Sequence, residues 1–254
     1  ARRALSPVEV LQAVLQRVAL YNPWVNAFAA MNPQALRQAG ESEARWMAGR
    51  PIGPLDGVPA TVKDLLNLAG FPTRRGSKTT DATPATEDAP AVMGLKQAGA
   101  VILGKTTTTE FGWKSPGDCP LHGITRNPWN RERTVGGSSS GAGAAGAACF
   151  GPLHVGTDAG GSVRIPAAFC GLVGHDLYPA AGGVETGGHG VEGDGVLGPR
   201  HQTAGQPRDP ARPGAHDDAV GSERSPPQAG HQPWRPSLVE RALHRVDVEQ
   251  HDRR

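Results

Sequence analysis

Cysteine, aromatic side chains and net charge are all scarce in this chain, and each scarcity narrows the field. Cys119, Cys149 and Cys170 are an odd number with no paired spacing. They exclude a disulfide scaffold and predict free thiols in a reducing, cytoplasmic setting. Only 5% of residues are aromatic, and 26 basic residues face 24 acidic ones, for a formal net charge of +2 over 254 residues. An excess so small and scattered argues against nucleic acid as a partner. No run approaches the roughly 18 apolar residues of a membrane span, so no membrane partner is expected. The opening Ala1-Arg2-Arg3-Ala4-Leu5 leads into a helix pattern without a signal-peptide core. The histidines of the C-terminal third show neither His-x-His nor His-Glu-x-x-His spacing. No metal and no other cofactor is predicted.

What the chain does have is an α/β alternation. Ser6-Pro7-Val8-Glu9 is a helix start with a capping serine, a first-turn proline and a glutamate three residues on. Val8, Leu11, Leu15 and Val18 then share one face, predicting a helix to about Leu20. A second helix opens at Asn32-Pro33 and runs toward Met47. Strands are predicted over 58–62 and 100–103, with a helix over 88–97 between them. A helix over 141–149, a strand near 152–156 and a short helix over 166–170 follow. This order predicts an α/β fold, a parallel or mixed sheet covered by helices.

Chemistry concentrates in residues 136–174. Two glycine-flanked serines, Ser138 and Ser162, bracket a Gly/Ala run over 141–148 that predicts a buried, tightly packed helix. Gly141-x-Gly143-x-x-Gly146 formally matches the dinucleotide fingerprint. Residues 131–135 before it do not read as a strand, so nucleotide binding is not expected. Gly160 and Gly161 free the backbone before Ser162 to turn its amides toward one point, a layout suited to acyl transfer. His154 lies in an apolar run and Ser162 has no Gly-x-Ser-x-Gly elbow, so the base must come from elsewhere. Lys63 closes the apolar stretch Gly57-Val58-Pro59-Ala60-Thr61-Val62. Burial there would disfavour its ammonium form and fit it to accept a proton. Ser139 and Ser140 read as helix caps and supporting donors, and Asp158 with Arg164 as an ion pair bracketing the loop.

Val62-Lys63-Asp64, Gly136-Gly137-Ser138-Ser139-Ser140-Gly141 and Gly156-Thr157-Asp158-Ala159-Gly160-Gly161-Ser162-Val163-Arg164 together resemble the amidase signature family over roughly residues 5–174. The resemblance implies a Ser–cis-Ser–Lys triad. Ser162 would be the acylated nucleophile, Ser138 the bridging serine after a cis Gly137–Ser138 peptide, and Lys63 the base. The amides of Ala159, Gly160, Gly161 and Ser162 would form the oxyanion hole. Substrate and co-reactant would be a small-molecule amide and water. Residues 105–129 resemble stand-alone bacterial amidases acting on small carboxamides. The glutamine-hydrolysing subunit of tRNA-dependent amidotransferases, the second reading, tends instead to carry Met-Asp-Glu-Phe-Ala-Met there. Family members commonly exceed 400 residues, so an inactive fragment is a third reading.

Past Gly174 the composition changes. Residues 175–254 hold no Lys, Ile, Phe or Met, seven of the nine histidines, 12 Gly and nine Pro. Only 21 of these 80 residues are apolar, against 73 of the preceding 174. The family motif would continue Leu-Lys-Pro where this chain reads His175-Asp176-Leu177-Tyr178. The sequence therefore predicts an N-terminal part of a catalytic core, 1–174, and an atypical low-order tail, 175–254, as a translated wrong reading frame would give. Only 237–249 suggests a late helix.

Overall fold

The computed structural model describes residues 5–177 and 193–199. In chain order the elements are α1 (Pro7–Val25), β1 (Phe28–Met31), α2 (Ala35–Met47), β2 (Pro59–Lys63), α3 (Pro90–Gln97) and β3 (Val101–Thr106). Then come a 3-10 turn at Glu110–Gly112, the short strands β4 (Asp118–Cys119), β5 (Gly123–Ile124), β6 (Arg126–Asn127) and β7 (Asn130–Thr134), and α4 (Ser140–Ala147). β8 (Leu153–Asp158), α5 (Arg164–Cys170), β9 (Leu172–Leu177) and β10 (Gly193–Pro199) complete the described chain.

The predicted capping box is present. Ser6 Oγ accepts from the amides of Val8 and Glu9, and the Glu9 carboxylate accepts from Ser6 N at 3.1 Å. The helix runs past the expected end at Leu20, through Pro23 to Val25, and stops at Asn26 in the left-handed conformation. Its buried residues, Leu11, Val14, Val18 and Val25, explain the extension, because Val25 carries the apolar face further along the helix.

Six strands form a mixed sheet in the order β1-β3-β2-β8-β10-β9. β2 is parallel to both β3 and β8, whereas β1 is antiparallel to β3, and β10 is antiparallel to β8 and β9. One core joins α1, α4 and α5 residues to Val101, Leu103 and Phe150. A smaller one gathers Ala60, Val62, Leu68, Val92 and Ile102 around α3. The fold expectation is met: α/β, with helices covering a mixed sheet.

The Gly/Ala run packs as its composition implies, with Ser140 to Gly146 of α4 all buried. A methyl on Gly143 would sit 2.7 Å from Pro166 Cβ, and one on Gly146 2.8 Å from Leu172 Cδ1. The backbone therefore approaches its neighbours where any side chain would overlap them. The fingerprint glycines are interior helix positions. Residues 130–134, which the sequence pattern did not mark as a strand, are one. Its partner is the antiparallel β6 and its residues are all exposed, so it is no lead-in to a phosphate loop. Of the segment set apart by composition, residues 175–177 and 193–199 are strand residues of the main sheet. Its other residues, including the suggested helix over 237–249, lie outside the described residues.

Candidate active site

β2 delivers Lys63 into the interior, where its side chain has no solvent exposure. A charge at a strand end would ordinarily reach water. Here Nζ lies 2.7 Å from Ser138 Oγ, 2.9 Å from Thr157 Oγ1 and 3.4 Å from the Thr157 carbonyl oxygen. Ser138 is itself buried and follows a cis Gly137–Ser138 peptide, the isomer the resemblance implied. Its carbonyl accepts from Thr109 N at 3.3 Å. Ser139 N donates to the Ser162 carbonyl at 3.1 Å, so the two serine blocks meet directly. Ser162 is half-buried at the start of the turn into α5, beside exposed Ala159 and Gly160.

Ser139 does not cap α4. Its hydroxyl donates to the Thr157 carbonyl at 3.2 Å and lies 3.4 Å from Thr157 N. Ser140 likewise reaches the Thr107 carbonyl at 3.4 Å rather than a helix amide. Both hydroxyls tie the serine block to neighbouring segments, and the expected capping role is corrected.

Asp158 organises the glycine loop. It accepts from the amides of Gly161 at 2.5 Å, Val163 at 3.0 Å and Arg164 at 3.3 Å, and from Arg164 Nε and Nη2 at 3.0 and 2.9 Å. Burial opposes its ionisation, but the Arg164 guanidinium and these amides outweigh it and hold the carboxyl well below the usual range. The expected Asp158–Arg164 pair is therefore present. One of the four amides assigned to the oxyanion hole, that of Gly161, is turned to Asp158.

His154 offers no base. It is fully buried, with Nδ1 2.9 Å from Thr61 Oγ1 and Nε2 2.9 Å from the Gly151 carbonyl, and burial pushes its pKa down to about 4. Sequence reasoning missed Thr157 and the pair behind Lys63. Asp64 Oδ1 lies 2.7 Å from Lys105 Nζ, both buried, and Lys105 also donates to the Pro72 carbonyl and Thr73 Oγ1. An acid beside a lysine one strand away was the available signal. Cys119, Cys149 and Cys170 are not joined in disulfides. Among the described residues no His/Cys/Asp/Glu group could hold a metal ion, and no helix is long and apolar enough to cross a membrane.

Residues 9–188 match the Amidase family. This chain belongs to that family. The match continues past Gly174, where composition had placed the departure. Among curated relatives, an acylamidase of Rhodococcus erythropolis is 46% identical over 179 residues, 70% of this chain and 37% of the relative. A glutamyl-tRNA(Gln) amidotransferase subunit of Bdellovibrio bacteriovorus is 42% identical over 68% of this chain and 35% of its own length. Among solved structures, the peptide amidase of Stenotrophomonas maltophilia superposes with a TM-score of 0.63 at 36% identity, covering 66% of this chain and 36% of that one. The chain thus spans little more than a third of the length of these relatives.

Proposed function

We propose that this chain carries the catalytic centre of an amidase that hydrolyses the C–N bond of a small carboxamide through a seryl acyl-enzyme. The observation that carries the reading is Lys63 Nζ held 2.7 Å from Ser138 Oγ in a fully buried setting. A buried lysine is the kind that can act neutral, and neutral Lys63 accepts the Ser138 proton. Ser138 Oγ in turn takes the proton of Ser162 Oγ as that oxygen attacks the amide carbon. The tetrahedral oxyanion is received by backbone amides of the 159–162 turn. Those of Ala159, Gly160 and Ser162 serve first, because the Gly161 N–H already bonds Asp158. The C–N bond breaks as Ser138 hands its proton to the leaving nitrogen and recovers one from Lys63. Water then attacks the acyl-enzyme by the same relay and releases the acid.

A serine-directed fluorophosphonate tests this assignment. The adduct is expected on Ser162 by mass spectrometry and absent from Ser162→Ala. Labelling elsewhere that persists in Ser162→Ala overturns it.

The glutamine-hydrolysing reading keeps a place because relatives named as glutamyl-tRNA(Gln) amidotransferase components reach 45% identity. It shares the same relay and differs in substrate, so hydrolysis of glutamine in preference to simple carboxamides would select it. A chain that leaves Ser162 unlabelled would be the inactive fragment.

A further inference from the structure

We infer that Thr157 is a positioning residue that aims the Lys63 lone pair at Ser138. The inference rests on the relay proposed above. A neutral amine has two N–H donors and one lone pair, and it rotates freely unless its donors are committed. The oxygens within hydrogen-bonding reach of Lys63 Nζ include Ser138 Oγ at 2.7 Å, Thr157 Oγ1 at 2.9 Å and the Thr157 carbonyl at 3.4 Å. Thr157 supplies two of them. When both N–H groups of neutral Lys63 are donated to Thr157, the remaining tetrahedral direction is the one toward Ser138. The lone pair then faces the hydroxyl whose proton it must take. Without the Thr157 hydroxyl an N–H can turn toward Ser138 Oγ, and the relay starts with a donor where it needs an acceptor.

Thr157 is itself well placed for this duty. It sits in β8, which is hydrogen-bonded to β2 as a parallel neighbour, and it is buried. Ser139 Oγ contacts both its carbonyl and its amide. The backbone that offers the second acceptor is thereby fixed by the residue next to the bridging serine.

The same three acceptors also receive the three N–H donors of the ammonium form. Loss of the threonine hydroxyl takes one acceptor from that charged form in a buried site. The chemical step should slow, and the midpoint of the acid limb should move to lower pH. A packing role alone would lower the rate at every pH equally and leave the midpoint in place.

The test is the pH profile of Ser162 labelling by a fluorophosphonate in the full chain, for wild type, Thr157→Val and Thr157→Ser, with folding checked by circular dichroism. Thr157→Val should label about tenfold or more slowly on the plateau, the scale of one lost bond to a charged group, with its midpoint about one unit lower. Thr157→Ser should return both to near the wild-type values. An unchanged profile in Thr157→Val, or an equal loss in both variants without a midpoint shift, overturns the inference and leaves the relay standing. Failure of Lys63→Ala to slow labelling would overturn the relay and the inference together.

Discussion

Lys63 Nζ meets two hydroxyls and a carbonyl at hydrogen-bonding distance, acceptors that hold an amine in place. Asp64, next in sequence, points its carboxylate at Lys105 instead. Successive residues at the end of β2 thus reach different partners, Lys63 to Ser138 and Asp64 to Lys105. Lys63→Ala should lower the rate of Ser162 labelling by several orders of magnitude. Ser138→Ala should be comparably damaging and the double variant little worse, since members of one relay are strongly non-additive. Stopped-flow labelling rates for the three proteins check this, and additive losses would contradict a shared relay. Lys63, Ser138 and Ser162 stand out as candidates in the sequence because a charge in an apolar strand and glycine-flanked serines are rare patterns. Thr157 does not, because a threonine in a strand is ordinary until its partners are seen. The Gly161 amide was likewise invisible in the sequence, since nothing there says which way one N–H turns.

At the scale of elements, α4 and the β2–β8 joint hold the serine block against the lysine. The small residues of α4 announced a buried helix, and the structure supplies the reason at Gly141, where a methyl would overlap Ala27 O and Thr107 N. Backbone atoms cannot turn aside as a side chain can. Gly141→Ala should therefore destabilise the chain by about 1–3 kcal/mol or more, the scale of overpacking, even though alanine is the better helix former. Urea unfolding compared with Ala142→Gly, a buried position that loses rather than gains volume, would check the sign. In the β2–β8 joint, His154 is neutral and bonded at both nitrogens. Its folded pKa is depressed to about 4 from 6.5, so the unfolded chain binds its proton first as the pH falls. The stability is complete above about pH 6.5 and drains away between there and about pH 4, by roughly 3 kcal/mol. His122, which burial also depresses, adds in the same direction. Comparing wild type with His154→Gln isolates the first contribution: the variant should lose less stability between pH 7 and pH 4.5. The joint was legible as two apolar strands, but β1 was not. Phe28–Met31 is four residues long with no alternation of buried and exposed positions to betray it.

For the molecule as a whole, the contrast is between what composition says about residues after Gly174 and what the sheet does with them. Gly193–Pro199 reads GDGVLGP, three glycines and a proline in seven residues, which pattern reasoning assigns to a turn. Yet this stretch lies between β8 and β9, with Val196 opposite Val155 on one side and His175 on the other. Long-range pairing on both flanks supplies what local propensity withholds, so strand identity here comes from the neighbours and could not be read from the segment. The same pairing covers the backbone edge that β8 would otherwise present, the edge at which chains associate. With β10 in this position, amide exchange over 194–198 should be slow, comparable to that of 154–157 opposite. Replacing Val196 with proline should remove a ladder bond, speed exchange in β8 and β9 together, and raise the tendency to aggregate. Fast exchange over 194–198 with protected amides in 153–158 would instead return the segment to the low-order tail its composition describes, and leave β8 as the edge of the sheet.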